Sequence, residues 1–267
     1  MQPTTLLVGC GRVGSRLGLR LVDRGESVVA VRRDPSSLAP AFVRLGVDLE
    51  APPTVELPQV DRMLITLPPP AIPGGYRTAL NNLIDALPAV PSRTVFVSST
   101  RVFEGWGPDH RVTEETEPRP VTERAAALLD GENSARELFD AIIVRPAGIY
   151  GPGRGRLIDS VRNGRPIDRS RLTNRIHELD LVRAIEAILA SSEPPRLLHA
   201  VDGHPAWQGA VVDHIAHRLG VAAPAGSGTG EPSGRFLDGT LLRSVLGSVR
   251  HSDYRSGYDA VISSENH

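Results

Sequence analysis

Gly9-Cys10-Gly11-Arg12-Val13-Gly14 sets three glycines at the spacing G-x-G-x-x-G, and no other feature of the 267-residue chain restricts its fold as strongly. A short apolar run, Thr4 to Val8, precedes the motif and reads as a buried strand. The motif opens a segment, Val13 to Arg24, in which Val13, Leu17, Leu21 and Val22 recur at helical spacing until Gly25 ends it. Ser27 to Val31 (SVVAV) is rich in β-branched residues and reads as a second strand. Strand, glycine turn, helix and strand in this order form a βαβ unit. In such a unit the first glycine permits the tight turn and the second lets a pyrophosphate approach the backbone. The third lets helix and strand pack closely. Unpaired N–H groups at the helix start favour an anion. A dinucleotide is therefore the expected ligand, with Gly9, Cys10, Gly11, Arg12, Val13 and Gly14 around its phosphates.

The end of the second strand bears on which dinucleotide. An acid there would accept a hydrogen bond from the ribose 2′-hydroxyl of NAD. This chain has Arg32 and Arg33, and its first acid is Asp34. A guanidinium pairs with the 2′-phosphate of NADP, which a carboxylate would repel. NADP is thus expected over NAD; the alternative is two solvated surface arginines. Arg12 could also meet a phosphate or lie in solvent. Cys10 has no His or Asp placed beside it, so packing is the expected role rather than nucleophilic attack.

The alternation continues down the chain. Arg62 to Leu67, Thr94 to Ser98 and Ala141 to Arg145 read as strands, separated by helices over Tyr76 to Leu87 and Val121 to Phe139. Gly131 is a candidate interruption of the second helix. Continuous apolar strands between helices predict a Rossmann-type α/β fold, a doubly wound parallel sheet with both faces covered. Beyond Gly151 the pattern loosens into short helices, at Leu157 to Asn163, Glu178 to Ala190, Ala206 to Leu219 and Asp238 to Leu246. A strand is expected at Arg196 to Val201, a loop at Ala222 to Gly234 and a frayed end at Ser263 to His267. The expected division is a Rossmann domain over 1–152, with 176–201 returning to it, and a small C-terminal substrate cap from 153–175 and 202–267.

Thirty basic and 31 acidic residues leave a net charge of −1, which suggests neither a nucleic acid nor a membrane surface as partner. The one cysteine excludes an internal disulfide and is compatible with a reducing compartment. No basic leader and no long uncharged apolar run occur, so a cytoplasmic protein is expected. His177 and Asp180 fall three apart, too few for a zinc site, and no metal is expected.

Val95 to Arg101 (VFVSSTR), Ile143 to Gly153 (IVRPAGIYGPG), Asn174 to His177 with Asp180-Leu181, and Tyr254 to Tyr258 together resemble the extended short-chain dehydrogenase/reductase superfamily, the NAD(P)-dependent epimerase/dehydratase group. The glycine turn and the arginine pair look most like its atypical branch. The resemblance implies an oxidoreductase or epimerase acting on a small hydroxyl- or carbonyl-containing substrate, and often a homodimer. It also implies that Leu67, Pro68, Ser98, Arg124 and Pro146 border the cofactor. Ser99 falls at the Ser/Thr position that holds the substrate oxygen. The Tyr-x-x-x-Lys pair that carries the proton in this superfamily is absent from PRPVTERAAALLDGE. With the later glutamate aligned on Glu132, Arg124 stands at the Tyr position and Leu128 at the Lys position. Leu cannot hydrogen-bond a ribose, and Arg is always protonated. Glu123 and Tyr150 are the remaining candidates for a proton carrier, beside Ser99. Glu123 and Thr122 could equally form a plain helix start, and Tyr150 could simply pack. Trp106 in EGWGPDH is a candidate ligand cover. Seven arginines from Arg154 to Arg175 could receive an anionic substrate or form a solvated flap. A catalytically silent, NADP-holding regulator is the alternative reading.

Overall fold

The computed structural model describes residues 2–265. In chain order the first elements are β1 (Thr4–Val8), α1 (Arg12–Val22), β2 (Ser27–Arg32), β3 (Val43–Gly46), β4 (Arg62–Ile65) and α2 (Gly75–Ala86). β5 (Arg93–Val97), a 3-10 turn (Thr100–Phe103), β6 (Arg111–Val112), α3 (Glu123–Phe139), β7 (Ile142–Pro146) and β8 (Gly148–Tyr150) follow. Next come α4 (Arg156–Arg162), β9 (Arg171–Thr173), β10 (Arg175–His177), α5 (Glu178–Ala190), β11 (Leu197–Ala200) and β12 (Ala206–Trp207). The chain closes with α6 (Gln208–Leu219), β13 (Ser233–Gly234), β14 (Phe236–Leu237), α7 (Thr240–Leu246) and α8 (Tyr254–Glu265).

Seven strands form one parallel sheet in the order β11-β7-β5-β4-β1-β2-β3, the Rossmann-type α/β arrangement. Leu6, Leu7, Val8, Met63, Leu64, Ile65, Val95 and Phe96 are all buried. Such continuous apolar strands are what a parallel sheet covered on both faces requires. β1 pairs β2 with Val8 opposite Val31, and pairs β4 with Val8 opposite Ile65, so the carboxyl ends of three strands meet at one edge.

Contacts divide the chain into two compact units. Among the described residues the first comprises 2–102, 120–145 and 182–198, and the second 103–119, 146–181 and 199–265. In the first, α3 runs unbroken through Gly131, against the expected interruption. A side chain there would strike the Tyr76 ring, since an added Cβ would lie 2.6 Å from Cδ2. The missing side chain lets α2 and α3 pack closely, and that packing outweighs the weak helix propensity of glycine. On the same helix Glu132 is fully buried and meets Arg145 of β7 in a two-pronged pair, Nε to Oε1 at 2.9 Å and Nη2 to Oε2 at 2.6 Å. That pair ties the helix to the sheet.

The second unit holds short strands that the sequence pattern did not show. β9 pairs β12 antiparallel and β13 parallel, β8 pairs β10, and β6 pairs β14. β13 occupies the end of the expected Ala222–Gly234 loop. α4, α6 and α8 gather Ile158, Val212, Ile215, Tyr254, Tyr258 and Val261 into a separate core. α8 itself was not expected from the sequence. It runs to Glu265, where fraying was anticipated from Ser263, and residues 266–267 lie outside the described part. Asp180, at the start of α5, accepts N–H bonds from Arg250 and His251, both at 2.9 Å. Asp202 is also buried. Its Oδ1 accepts the His204 N–H at 2.9 Å, while Oδ2 has no hydrogen-bond partner among the described residues. Burial pushes its carboxyl up to about 7, against the lowering effects of the His204 N–H, Arg175 and His204; Asp253 adds a smaller upward push.

Two outcomes follow for stability. Removing the carboxylate in Glu132→Ala strands a buried guanidinium, which should cost about 3–5 kcal/mol in urea unfolding. For Asp202 the folded carboxyl keeps a proton that the unfolded chain has already released between pH 4 and pH 7. Stability should therefore fall as pH rises through that window, by up to about 4 kcal/mol from this group. Asp202→Asn should remove that part of the slope, and an unchanged slope would show that the acid is not responsible.

Candidate functional site

The glycine turn is locked from below. The N–H groups of Gly9 and Cys10 both donate to the Val31 carbonyl, at 3.0 and 3.2 Å. Gly9 sits at φ 71°, where a side chain is strained, and an added Cβ would lie 2.8 Å from Leu67 Cδ2. α1 begins directly after Gly11, and no side chain caps its start. Nothing approaches an added Cβ on Gly11 closer than 3.8 Å, which leaves room above the backbone.

This turn forms one wall of a cleft of ≈ 370 Å³ within the first unit. Of the residues expected to bind the cofactor, Gly9, Cys10, Gly11, Arg32, Arg33, Leu67 and Pro68 line it together. Arg12, Val13 and Gly14 form the first turn of α1 beside it. Ser98 and Arg124 do not line this cleft, and Pro146 belongs to the second unit. Ser98 is instead buried at the end of β5, its N–H donated to Val144 and its Oγ without a partner among the described residues. Arg124 is exposed on α3, and its charge acts on the Tyr76 phenol.

The rim is cationic at the tip of β2. Arg32 is exposed and its Nη1 donates to Ser37 Oγ at 3.0 Å, while Arg33 lies 3.9 Å from Glu50. Asp34 accepts the Ser36 N–H at 2.9 Å, and that bond holds its carboxyl below the usual carboxylate range, with Arg32 adding a smaller pull. Cys10 is buried with its Sγ 3.5 Å from Ser15 Oγ, and burial pushes the thiol up. A protonated thiol is a poor nucleophile, in keeping with the expected packing role.

Sequence reasoning missed Val47, Asp48, Leu49 and Glu50, which form the far side of the cleft after β3. β3 is a short edge strand with exposed residues, so no apolar run announced it. Tyr76 was missed as well. Its buried phenol donates to the Leu67 carbonyl at 2.8 Å and fixes the proline loop that borders the cleft.

The candidate acid–base residues are not gathered by any one element. Ser99 Oγ accepts the Arg101 N–H at 3.2 Å, opening the 3-10 turn, and its own proton is still available to donate. Thr122 caps α3 by accepting the Ala125 N–H at 3.2 Å, and Glu123 lies exposed in the first turn, where the helix dipole favours an acid. Tyr150 is the third candidate. It lies buried in the second unit's core, its phenol donates to the Asp253 carbonyl at 3.3 Å, and its ring packs on Tyr258 and His177. Burial pushes the phenol far up. Leu128 is buried, as an apolar residue at that position should be.

Trp106 is also committed within the second unit. His110 stacks on its ring at 4.0 Å, the Arg119 guanidinium lies over it at 5.4 Å, and Nε1 donates to the Glu117 carbonyl. Of the arginines after Gly153, Arg154 pairs with Glu178, Arg162 with Asp159 and Arg169 with Asp213, while Arg175 bonds Gln208. His177 Nδ1 accepts the Leu179 N–H. Among the described residues no three His, Cys, Asp or Glu side chains gather as metal ligands, and no helix is long and apolar enough to cross a membrane.

Cleft, bare helix start and cationic rim fit a nicotinamide dinucleotide, and the comparisons point to the same class. A family model described as NADP oxidoreductase, coenzyme F420-dependent, matches residues 5–87. A protein of Methylobacillus flagellatus, provisionally described as an NAD-dependent epimerase/dehydratase, is similar in structure with a TM-score of 0.86. It is 26% identical, with 100% of each chain covered. MoeE5, solved with UDP-glucose and NAD, gives a TM-score of 0.79 at 23% identity over 98% of each chain. UDP-glucuronic acid 4-epimerase from Bacillus cereus, solved with NAD, gives 0.75 at 16% identity over 97% of this chain and 99% of that one. Comparison with curated proteins gives no match. The fold is that of the NAD(P)-dependent epimerase/dehydratase proteins, the extended short-chain dehydrogenase/reductase superfamily.

Gly11→Val separates folding from binding. The side chain has room, so thermal stability should change little. It would fill the path to the backbone, so nicotinamide dinucleotide binding should weaken by about tenfold or more in a calorimetric titration.

Proposed function

We propose that this protein binds NADP in preference to NAD and acts as an oxidoreductase or epimerase-like enzyme on a small hydroxyl- or carbonyl-containing substrate. The observation that carries the reading is the pair Arg32 and Arg33 on the rim of the dinucleotide cleft, standing at the end of β2 ahead of its first acid, Asp34. Two guanidinium groups there match a 2′-phosphate in charge and geometry. The first N–H groups of α1 would hold the pyrophosphate. Leu67 and Pro68 would border the adenosine side, fixed by Tyr76.

When bound, the cofactor supplies the hydride acceptor or donor. The chain must supply the proton and the grip on the substrate. Ser99 retains a hydroxyl proton that can be donated to a substrate oxygen. Glu123 is the exposed acid of the helix that lacks Tyr and Lys, and is the proton carrier in this reading. The buried Tyr150 is left out of it. A second reading, a cofactor-holding regulator without turnover, is favoured by one observation. Leu128 is buried where a ribose-binding Lys would stand.

Titration with NADPH and NADH tests the cofactor reading. NADPH should bind about tenfold or more tightly than NADH, and Arg32→Asp should abolish the difference. Binding of neither nucleotide, or a preference that survives the mutation, would sink it. NADPH consumption with a panel of carbonyl compounds then separates enzyme from regulator.

A further inference from the structure

At the opposite edge of the sheet from the glycine turn, the first unit holds a second cavity. β5 starts at Arg93, in register with Arg62 at the start of β4, and the glycine turn follows the far end of β1. Five residues of strand separate the two edges by roughly 16 Å. The cavity measures ≈ 490 Å³ and is lined by Ser92, Arg93, Thr94, Glu137, Asp140 and Arg196 among others.

Its polar groups are unevenly satisfied. Ser92 Oγ donates to the Asp61 carbonyl at 2.9 Å. Glu137 is paired with Arg77, and Asp140 with Arg196. Arg93 Nη1 is buried and has no acceptor among the described residues. A buried guanidinium N–H without an acceptor is unusual, and it marks a place where an acceptor belongs. Both acids on the wall are already neutralised by other arginines, so the acceptor must come from outside the wall. The Asp140–Arg196 pair is largely exposed, with side chains 80% and 64% accessible, so it is weakly held and Arg196 can share its guanidinium between Asp140 and an incoming anion.

We propose that this cavity is a binding site for the phosphate group of a small molecule, separate from the dinucleotide cleft. The Arg93 guanidinium donates to two phosphate oxygens through its planar fork, and Arg196 closes over the anion from the surface. No part of this depends on the cofactor chemistry or on the substrate.

Calorimetric titration with inorganic phosphate tests it, with acetate at matched ionic strength as the carboxylate arm. Phosphate should bind to the wild type and should weaken at least tenfold in Arg93→Gln, while Arg32→Asp leaves this binding unchanged. Arg93→Gln should in turn leave NADPH titrations as in the wild type. Arg196→Ala, a change at the surface, should weaken phosphate several-fold. Equal phosphate isotherms for the wild type and Arg93→Gln would overturn the proposal, as would acetate binding as tightly as phosphate. If circular dichroism shows that Arg93→Gln does not fold, an unchanged phosphate affinity in Arg196→Ala overturns it instead.

Discussion

The shared acceptance by the Val31 carbonyl, which takes N–H bonds from both Gly9 and Cys10, sets the geometry of the first unit's cleft. Those two bonds fold the chain sharply at the carboxyl end of β1 and aim the start of α1 along the sheet edge. They also fix Val31 itself, so that the next residues, Arg32 and Arg33, emerge on the same edge. A backbone carbonyl with two lone pairs can serve both donors, and satisfying it inside the sheet avoids the cost of a buried unpaired group. The start of α1 and the two arginines thus share one anchor.

α3 ties the sheet to α2. Its inward face is used for packing: Gly131 admits the Tyr76 ring, Glu132 grips Arg145, and Leu128 is buried. Tyr76 in turn holds the Leu67 carbonyl, so the proline loop is fixed through the α2–α3 contact.

Much of the first unit could be read in the sequence because a parallel sheet buries both faces of each strand. β1, β2, β4, β5 and β7 each carry a run of consecutive apolar residues, and each was placed to within about two residues. β3 escaped because an edge strand can be short and exposed, and with it went Asp48, Leu49 and Glu50 on the cleft's far side. In the second unit the strands are two or three residues long, too short for alternation to register. Tyr150 illustrates the same limit: a tyrosine in a glycine-flanked turn reads as accessible, and only the packing of α8 around it reveals a core residue.

The sequence by itself determined the βαβ start, the parallel-sheet class, the glycine turn with its two arginines and the absence of Tyr and Lys from the third helix. These rest on local rules, namely residue spacing, glycine stereochemistry and the presence of a side chain's functional group. Tertiary structure alone decided which polar groups found partners. It paired Glu132 with Arg145, buried Tyr150 and Asp202, and left Arg93 without an acceptor among the described residues. Those outcomes depend on contacts between residues far apart in the chain, and no periodicity along the sequence encodes them.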